Sequence, residues 1–468
     1  MLITSWASAF GASAFGASAS EASALVPPDR KTLRDSILSH VIGAELSTAT
    51  VSITKFGARG DSATDCRRAF ERAMRHAQKR GGAHIVVPRG VWLVRGPIHF
   101  VSGVTLELQQ GATLKFVAQP EYFLPMVSTS WEGTFLWNYS PFIYGYQLHD
   151  VAITGEGTID GDAGDTFATW ASRQNADQQR SRQQNHQAVP VGERRYGEGH
   201  FLRPQLIQFF QCQGVTITGV GVNRSPFWCI HLLQCSNVVL RGIRCQARLT
   251  NNDGIDLESC RGVLIEDMAF DNGDDNIAIK SGRDNDGWTM AGPSRDIVIR
   301  RCAFKGLHGV VIGSEMSGGV ENVVVEDCTS GGYCKRGIFI KTNPDRGGYV
   351  RNVYVSNVHF GEVLDLFYVT SMYAGQGLDN HHNSLIDNLQ VDNLTARLVK
   401  GTAIVLQGTP QRPITHVRFN QIDVPHVAKG VSFEFTDPVL MSNSFLGPKV
   451  GVPSQASPRD NLFGCDDK

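Results

Sequence analysis

Residues 251–282 read NNDGIDLESCRGVLIEDMAFDNGDDNIAIKSG, and hold three short apolar runs, GIDL, GVLI and NIAI, divided by polar corners. Within each run Ile, Val or Leu alternates with a neighbour at period two, the spacing of a β-strand. Asn, Asp or Gly precedes each run, as turn chemistry requires. No apolar stripe at helical spacing crosses the stretch.

The same pattern extends in both directions. Val151 in HDVAIT, Val215 in QGVTIT, Val238 in SNVVLR, Val263 in RGVLIE, Ile297 in RDIVIR, Val323 in ENVVVE and Val353 in RNVYVS form one series, spaced by 64, 23, 25, 34, 26 and 30 residues. A second series follows the later members: Ile230, Ile255, Ile277, Val310, Ile338 and Phe367, spaced by 25, 22, 33, 28 and 29. Self-similarity at this period with two or more strands per repeat predicts an all-β parallel β-helix, because one coil cannot bury its apolar face alone and stacked coils can. Leucine-rich repeats share the period, but their LxxLxL pattern is missing, and a propeller needs longer, antiparallel repeats.

Composition agrees. The chain of 468 residues is 41% hydrophobic and 19% charged and carries 49 glycines, which argues against disorder and against a charged helical bundle. Lys and Arg number 44 against 45 Asp and Glu, so no global field draws the protein to nucleic acid or a membrane surface. No apolar run is long enough to span a bilayer as a helix. A monomer is expected.

The expected organisation is a signal-like or flexible segment over 1–48, a β-helix domain over 49–450 and a tail over 451–468. The first 24 residues are small and weakly apolar with Ala-x-Ala-like sites, although no basic residue precedes Arg30. They suggest export to the periplasm or outside the cell. Asp65 is placed to cap a short helix over 65–80 whose Ala69, Phe70, Ala73, Met74 and Ala77 share one face, with Gly81 and Gly82 ending it. Such a helix would close the N-terminal end of the coil stack, where unpaired strand edges invite aggregation. Ten cysteines lack metal-binding spacing. Cys212, Cys235 and Cys260 each fall three residues before a first-series Val, a column expected to be an apolar ladder of free thiols.

Register also places the polar groups. Two positions before Ile255, Ile277, Val310 and Ile338 stand Asp253, Asp275, His308 and Arg336. With parallel strands about 4.8 Å apart, these four line one short stripe. Asp274 has the opposite parity and reaches the same cleft only where the strand begins to turn. Carboxyls this close cannot all ionise cheaply, so at least one pKa should rise, as a general acid requires.

The ordered strings NNDGIDL, GDDNIAIKSG, LHGVVIGSE and RGIFIKTN resemble the polygalacturonases and their relatives, the family-28 glycoside hydrolases, whose pattern is Asn-x-Asp, Asp-Asp, Gly-His-Gly and Arg-x-Lys. The resemblance runs over about residues 50 to 430 and includes GARGD and GEGTIDG. It implies a single-stranded right-handed parallel β-helix and hydrolysis of α-1,4-linked galacturonate in pectic polysaccharide or oligogalacturonide, with inversion and with no metal or other cofactor. By the same resemblance Asp274 is the general acid, Asp253 and Asp275 hold and deprotonate water, and His308 supports the acid's protonation. Asn251 lines the site and Lys341 grips a substrate carboxylate.

Two departures bear on substrate. Leu307 replaces the usual glycine before His308, and Phe339 replaces the arginine of Arg-x-Lys, removing a bidentate carboxylate fork. Arg336 is the candidate replacement cation, in an arrangement similar to that of bacterial exo-acting members. Tyr373 is a candidate for stacking on a sugar ring. The long segment WASRQNADQQRSRQQNHQAVPVGERRYGEGHFLRP carries Arg173, Arg180, Arg182, Arg194, Arg195 and Arg203, and is expected to wall one end of the cleft. A rhamnogalacturonan or substituted-galacturonan hydrolase is the alternative within the family. A calcium-dependent lyase and a non-catalytic carbohydrate-binding β-helix are the alternatives outside it. GEGTIDG lacks the βαβ setting of a nucleotide loop and reads as a coil turn. His381 and His382 beside Asp379 point apart on an extended segment and are not expected to bind metal.

Overall fold

The computed structural model describes residues 29–373 and 381–447. The signal-like stretch 1–24, Asp379 and the tail 451–468 lie outside the described residues.

Adjacent coils pair in parallel, and the two series fall into register residue for residue. Val151 pairs with Val215, then Val238, Val263, Ile297, Val323 and Val353 follow as successive partners. In the second sheet Ile230, Ile255, Ile277, Val310, Ile338 and Phe367 pair in the same order. A third strand in each coil aligns Ile159, Val222, Cys245 and Phe270, which closes the right-handed β-helix. These columns form one continuous buried core.

The corner ahead of the first series has a physical cause. Asp150, Gly214, Asn237, Gly262, Asp296, Asn322, Asn352 and Asn388 all adopt φ between 52° and 70°, the left-handed region that Gly, Asn and Asp enter at least cost. Side chains at this corner stack as well: Asn322 donates to Asp296, Asn352 to Asn322 and Asn388 to Asn352.

The capping helix, α2, spans Arg67–Arg80 and buries Ala69, Phe70, Ala73, Met74 and Ala77. Asp65 accepts from the Arg67 amide at 3.0 Å, and Gly81 ends the helix at φ 74°. One further helix lies within the stretch 1–48. Residues Arg30–His40 form α1, capped by Asp29 and packed through Leu33 and Ile37 on Val239, Leu264, Val298, Val324 and Tyr354, the outer face of the first sheet. Cys212, Cys235 and Cys260 are buried free thiols. GEGTIDG is a coil turn leading into strand Thr158–Asp160.

The long segment after Asp160 is an ordered arm. It contains α3, Asn175–His186, and a short strand Arg195–Tyr196 that pairs with Trp137 and Asn138. Those two residues belong to the hairpin Val127–Trp131 and Thr134–Asn138. The hairpin crosses the outer face of the second sheet, where Thr129 donates to Gln208, Ser130 to Glu258, and Trp131 stacks on Phe227.

Candidate active site

The stripe lies on the second sheet, its residues buried. Asp275 pairs with His308, His308 with Arg336, and Asp253 stands one coil before Asp275 because Ile255 pairs with Ile277. His308 Nδ1 lies 2.6 Å from Asp275 Oδ1, and Lys341 Nζ donates to Asp275 Oδ2 at 3.2 Å. Asp274 turns into the same space: its Oδ1 accepts from the Asp275 amide at 3.0 Å and its Oδ2 from Asn251 at 3.4 Å. Arg203, from the arm, donates to Asn251 Oδ1 at 2.5 Å and so fixes which end of the amide meets Asp274.

The carboxyls are driven apart in proton affinity. Burial, then the Asp275 charge, pushes Asp274 up to about 7. Burial acts on Asp275 too, but Lys341 and His308 hold it below the ordinary carboxylate range. Burial and the neighbouring Asp256, Asp274 and Asp275 carry Asp253 well up. Burial pulls His308 down to about 4, so the ring is neutral near pH 7. A neutral ring that donates through Nδ1 presents Nε2 as an acceptor.

The remaining candidates are only partly as expected. His308 touches Asp275 rather than Asp274, because both lie in one register column. Arg336 stands in the column, but its guanidinium is stacked between Phe339 and Tyr368, 4.4 Å from each ring, with Asp365 at 3.6 Å. Phe339 is buried, with its ring edge-on to His308 at 5.3 Å and to Tyr368 at 5.5 Å. Lys341 Nζ sits 5.3 Å from the Phe339 ring and 5.5 Å from that of Tyr373, which places Tyr373 at the cleft.

Sequence reasoning missed a second polar layer. Asp256 lies on the outer face of the same sheet, fully buried, with Lys280 Nζ at 3.8 Å. Lys280 in turn pairs with Glu315 at 3.0 Å, and Glu315 with Arg283 at 2.7 Å. Next to them the buried His231 Nε2 meets Glu258 at 3.0 Å. The parity of Asp256 and Lys280, outward in GIDL and NIAIKS, was available as a signal. What the sequence does not show is the hairpin that buries them.

Asp274, Asp275 and His308 bring ligand atoms within 4.8 Å of one another, the arrangement among the described residues most suited to a cation. Both Asp275 oxygens are already engaged by His308 and Lys341, and the nearby ammonium opposes a second positive charge. The donor set fits proton transfer better than metal binding.

The chain as a whole is similar to known proteins. The chain is 31% identical over 403 residues to a probable polygalacturonase of Vitis vinifera, spanning 83% of this chain and 76% of that protein. An endo-polygalacturonase of Pectobacterium carotovorum is 27% identical over 59% of this chain and 65% of its own length. The crystal structure of a hyperthermoactive exopolygalacturonase from Thermotoga maritima superposes with a TM-score of 0.80 at 36% identity, covering 89% of this chain and 96% of that one. The sequence model of the Glycosyl hydrolases family 28 matches residues 80–436, so this chain belongs to family 28 and is a glycoside hydrolase.

Proposed function

We propose that the protein is an inverting polygalacturonase that cleaves α-1,4-galacturonosyl linkages from a chain end. The observation that carries this is the split between adjacent residues, Asp274 protonated up to about 7 and Asp275 held ionised by Lys341 and His308. Asp274 gives its proton to the glycosidic oxygen as the bond from that oxygen to C1 breaks. A water on the opposite face of the ring attacks C1 and passes its proton to Asp275. One bond to oxygen is lost and one gained, with inversion at C1, and the two carboxyls end with exchanged proton states. Asp253, whose proton affinity is raised by burial and by the neighbouring aspartates, orients the water. Asn251 steadies Asp274, Lys341 faces a substrate carboxylate, and Tyr373 offers a ring face to a sugar.

Action from a chain end is supported by the hairpin and the arm, which pack on the outer face of the second sheet over Gln208, Glu258 and Phe227 and bring Arg203 to Asn251. A polymeric pectic substrate fits action outside the cell or in the periplasm. Phe339, in place of an arginine, supports a second reading, a substituted-galacturonan or rhamnogalacturonan substrate. Resolving products over time on de-esterified polygalacturonate and on rhamnogalacturonan tests both. Mono- or digalacturonate from the first minutes, with the β-anomer formed first, is expected. Early mixed oligomers with a fast fall in viscosity would remove chain-end action, and turnover of rhamnogalacturonan alone would remove the substrate.

A further inference from the structure

Arg203 carries a role that the chemistry above leaves unassigned. It comes from the arm, is fully buried, and grips the corner that leads into Asp253. Its Nη1 donates to the Thr250 carbonyl at 2.8 Å and to the Pro226 carbonyl at 3.3 Å, and its Nη2 to Asn251 Oδ1 at 2.5 Å. The guanidinium is itself held: Nε donates to Gln174 Oε1 at 2.9 Å, and the Phe227 ring lies 5.0 Å away. The Arg203 carbonyl accepts from Trp131 of the hairpin at 3.0 Å. Arm, hairpin and the coil of Asp253 therefore meet at one side chain.

The polarity of these contacts matters more than their strength. A guanidinium only donates, so the atom of Asn251 that it meets must be the carbonyl oxygen, and the NH2 end is left facing Asp274. Asp274 Oδ2 accepts from that end at 3.4 Å, and Oδ1 accepts from the Asp275 amide at 3.0 Å. Both neighbours thus offer N–H groups, which stabilise the carboxylate formed once the proton has left and cannot take that proton themselves. Half a turn of the Asn251 amide would reverse this. Its oxygen would then accept the Asp274 proton, favouring the neutral acid and aiming the proton away from the glycosidic oxygen.

We propose that Arg203 is a positioning residue for the reaction: by holding Asn251 Oδ1 it keeps a donor against Asp274 and so leaves the acid's proton to the substrate. The inference rests on Asp274 as the general acid and adds the group that sets the direction of its proton. The arm then does more than pack on the sheet, since it reaches the chemistry through one buried side chain. Other charges also face Asp274: Asp275 beside it, Asp253 and Asp256 on the preceding coil, Lys280 on the same strand and Lys341 two coils on. Arg203→Lys keeps the charge and leaves all of them in place, so it isolates the fork to Asn251.

The test measures kcat and KM on trigalacturonate across pH for wild type, Arg203→Lys, Asn251→Ala, the double variant and Asn251→Asp. Arg203→Lys should lower kcat by about tenfold, which corresponds to about 1.4 kcal/mol, with KM little altered. Activity falls as pH rises through the Asp274 pKa, and an acceptor beside Asp274 raises that pKa. The basic limb of kcat should therefore move upward, by about half a pH unit or more. In the Asn251→Ala background the same substitution should change kcat by less than about twofold and leave the limb in place. Asn251→Asp sets an acceptor beside Asp274 with Arg203 intact; it should move the limb upward by itself, and serves if Arg203→Lys does not fold. An unmoved basic limb in Arg203→Lys or in Asn251→Asp, or an equal loss of kcat from Arg203→Lys in both backgrounds, would overturn the proposal. Retention of activity by Asp274→Asn is a different failure, since it removes the general-acid reading itself.

Discussion

His308 gives its Nδ1 proton to Asp275, 2.6 Å away, and leaves Asp274 to the Asp275 amide and Asn251. The histidine therefore stabilises the ionised partner. Asp274 stays protonated for two reasons: it is buried, and it stands beside a carboxylate that His308 and Lys341 keep charged.

The first expected outcome concerns Asp274. Asp274→Asn should lower kcat on trigalacturonate by about 10²- to 10⁴-fold with KM nearly unchanged, the range for loss of a general acid. Steady-state kinetics check this, and a loss below tenfold would take the acid role away from Asp274.

Activity should fall as pH rises through about 7, where Asp274 loses its proton. Stability should follow the same group. The folded carboxyl titrates near 7 against an ordinary value of 3.8, so between about 4 and 7 the folded protein holds a proton that the unfolded chain has released. Its contribution to stability therefore decreases as pH rises across that window. Chemical denaturation at pH 5 and 8 should show a larger difference in wild type than in Asp274→Asn.

Removing the ammonium beside Asp275 should expose its tendency to protonate. Lys341→Met is expected to move the acidic limb of the kcat/KM profile upward by about one pH unit or more, since an opposite charge at this range lowers a carboxyl by that much. A pH profile with an unmoved acidic limb would place the essential base elsewhere.

Helix α1 makes its contribution through packing. Ile37→Ala, which truncates a buried contact to Val239 and Leu264, should cost about 2 kcal/mol or more of unfolding free energy and leave kcat intact. Calorimetry with parallel kinetics measures both. Unaltered stability would mean that α1 is not held by this face.

Much of this was legible because the β-helix repeats the same local decisions. Every first-series Val or Ile was readable from alternation and a left-handed corner residue, and counting two back from Ile255, Ile277, Val310 and Ile338 placed Asp253, Asp275, His308 and Arg336 correctly. What escaped depended on distant contacts. Helix α3, NADQQRSRQQNH, has no apolar stripe, so nothing local marks it; it is held by polar contacts such as Asn185 to the Arg283 carbonyl and Arg182 to Glu132. Helix α1 shows only Leu33 and Ile37 on its buried side, too little to stand out. Asp256, Lys280 and Glu258 occupy ordinary outward positions, and only the hairpin from 127–138, more than a hundred residues earlier, makes them interior. Likewise, the alignment of Arg336 was readable, but its engagement with Asp365, Phe339 and Tyr368 follows from the next coil.

Because each coil leaves from the same left-handed corner and returns to the same apolar columns, changes in chain length are confined to the bends between them. The arm between Asp160 and Ile207 lengthens one bend while Ile143 still pairs with Ile207 and Val151 with Val215. Descendants of such a chain can exchange whole appendages without disturbing the aspartates beneath. Lineages would then diversify in where along a polymer they cut, while inheriting the cutting chemistry intact.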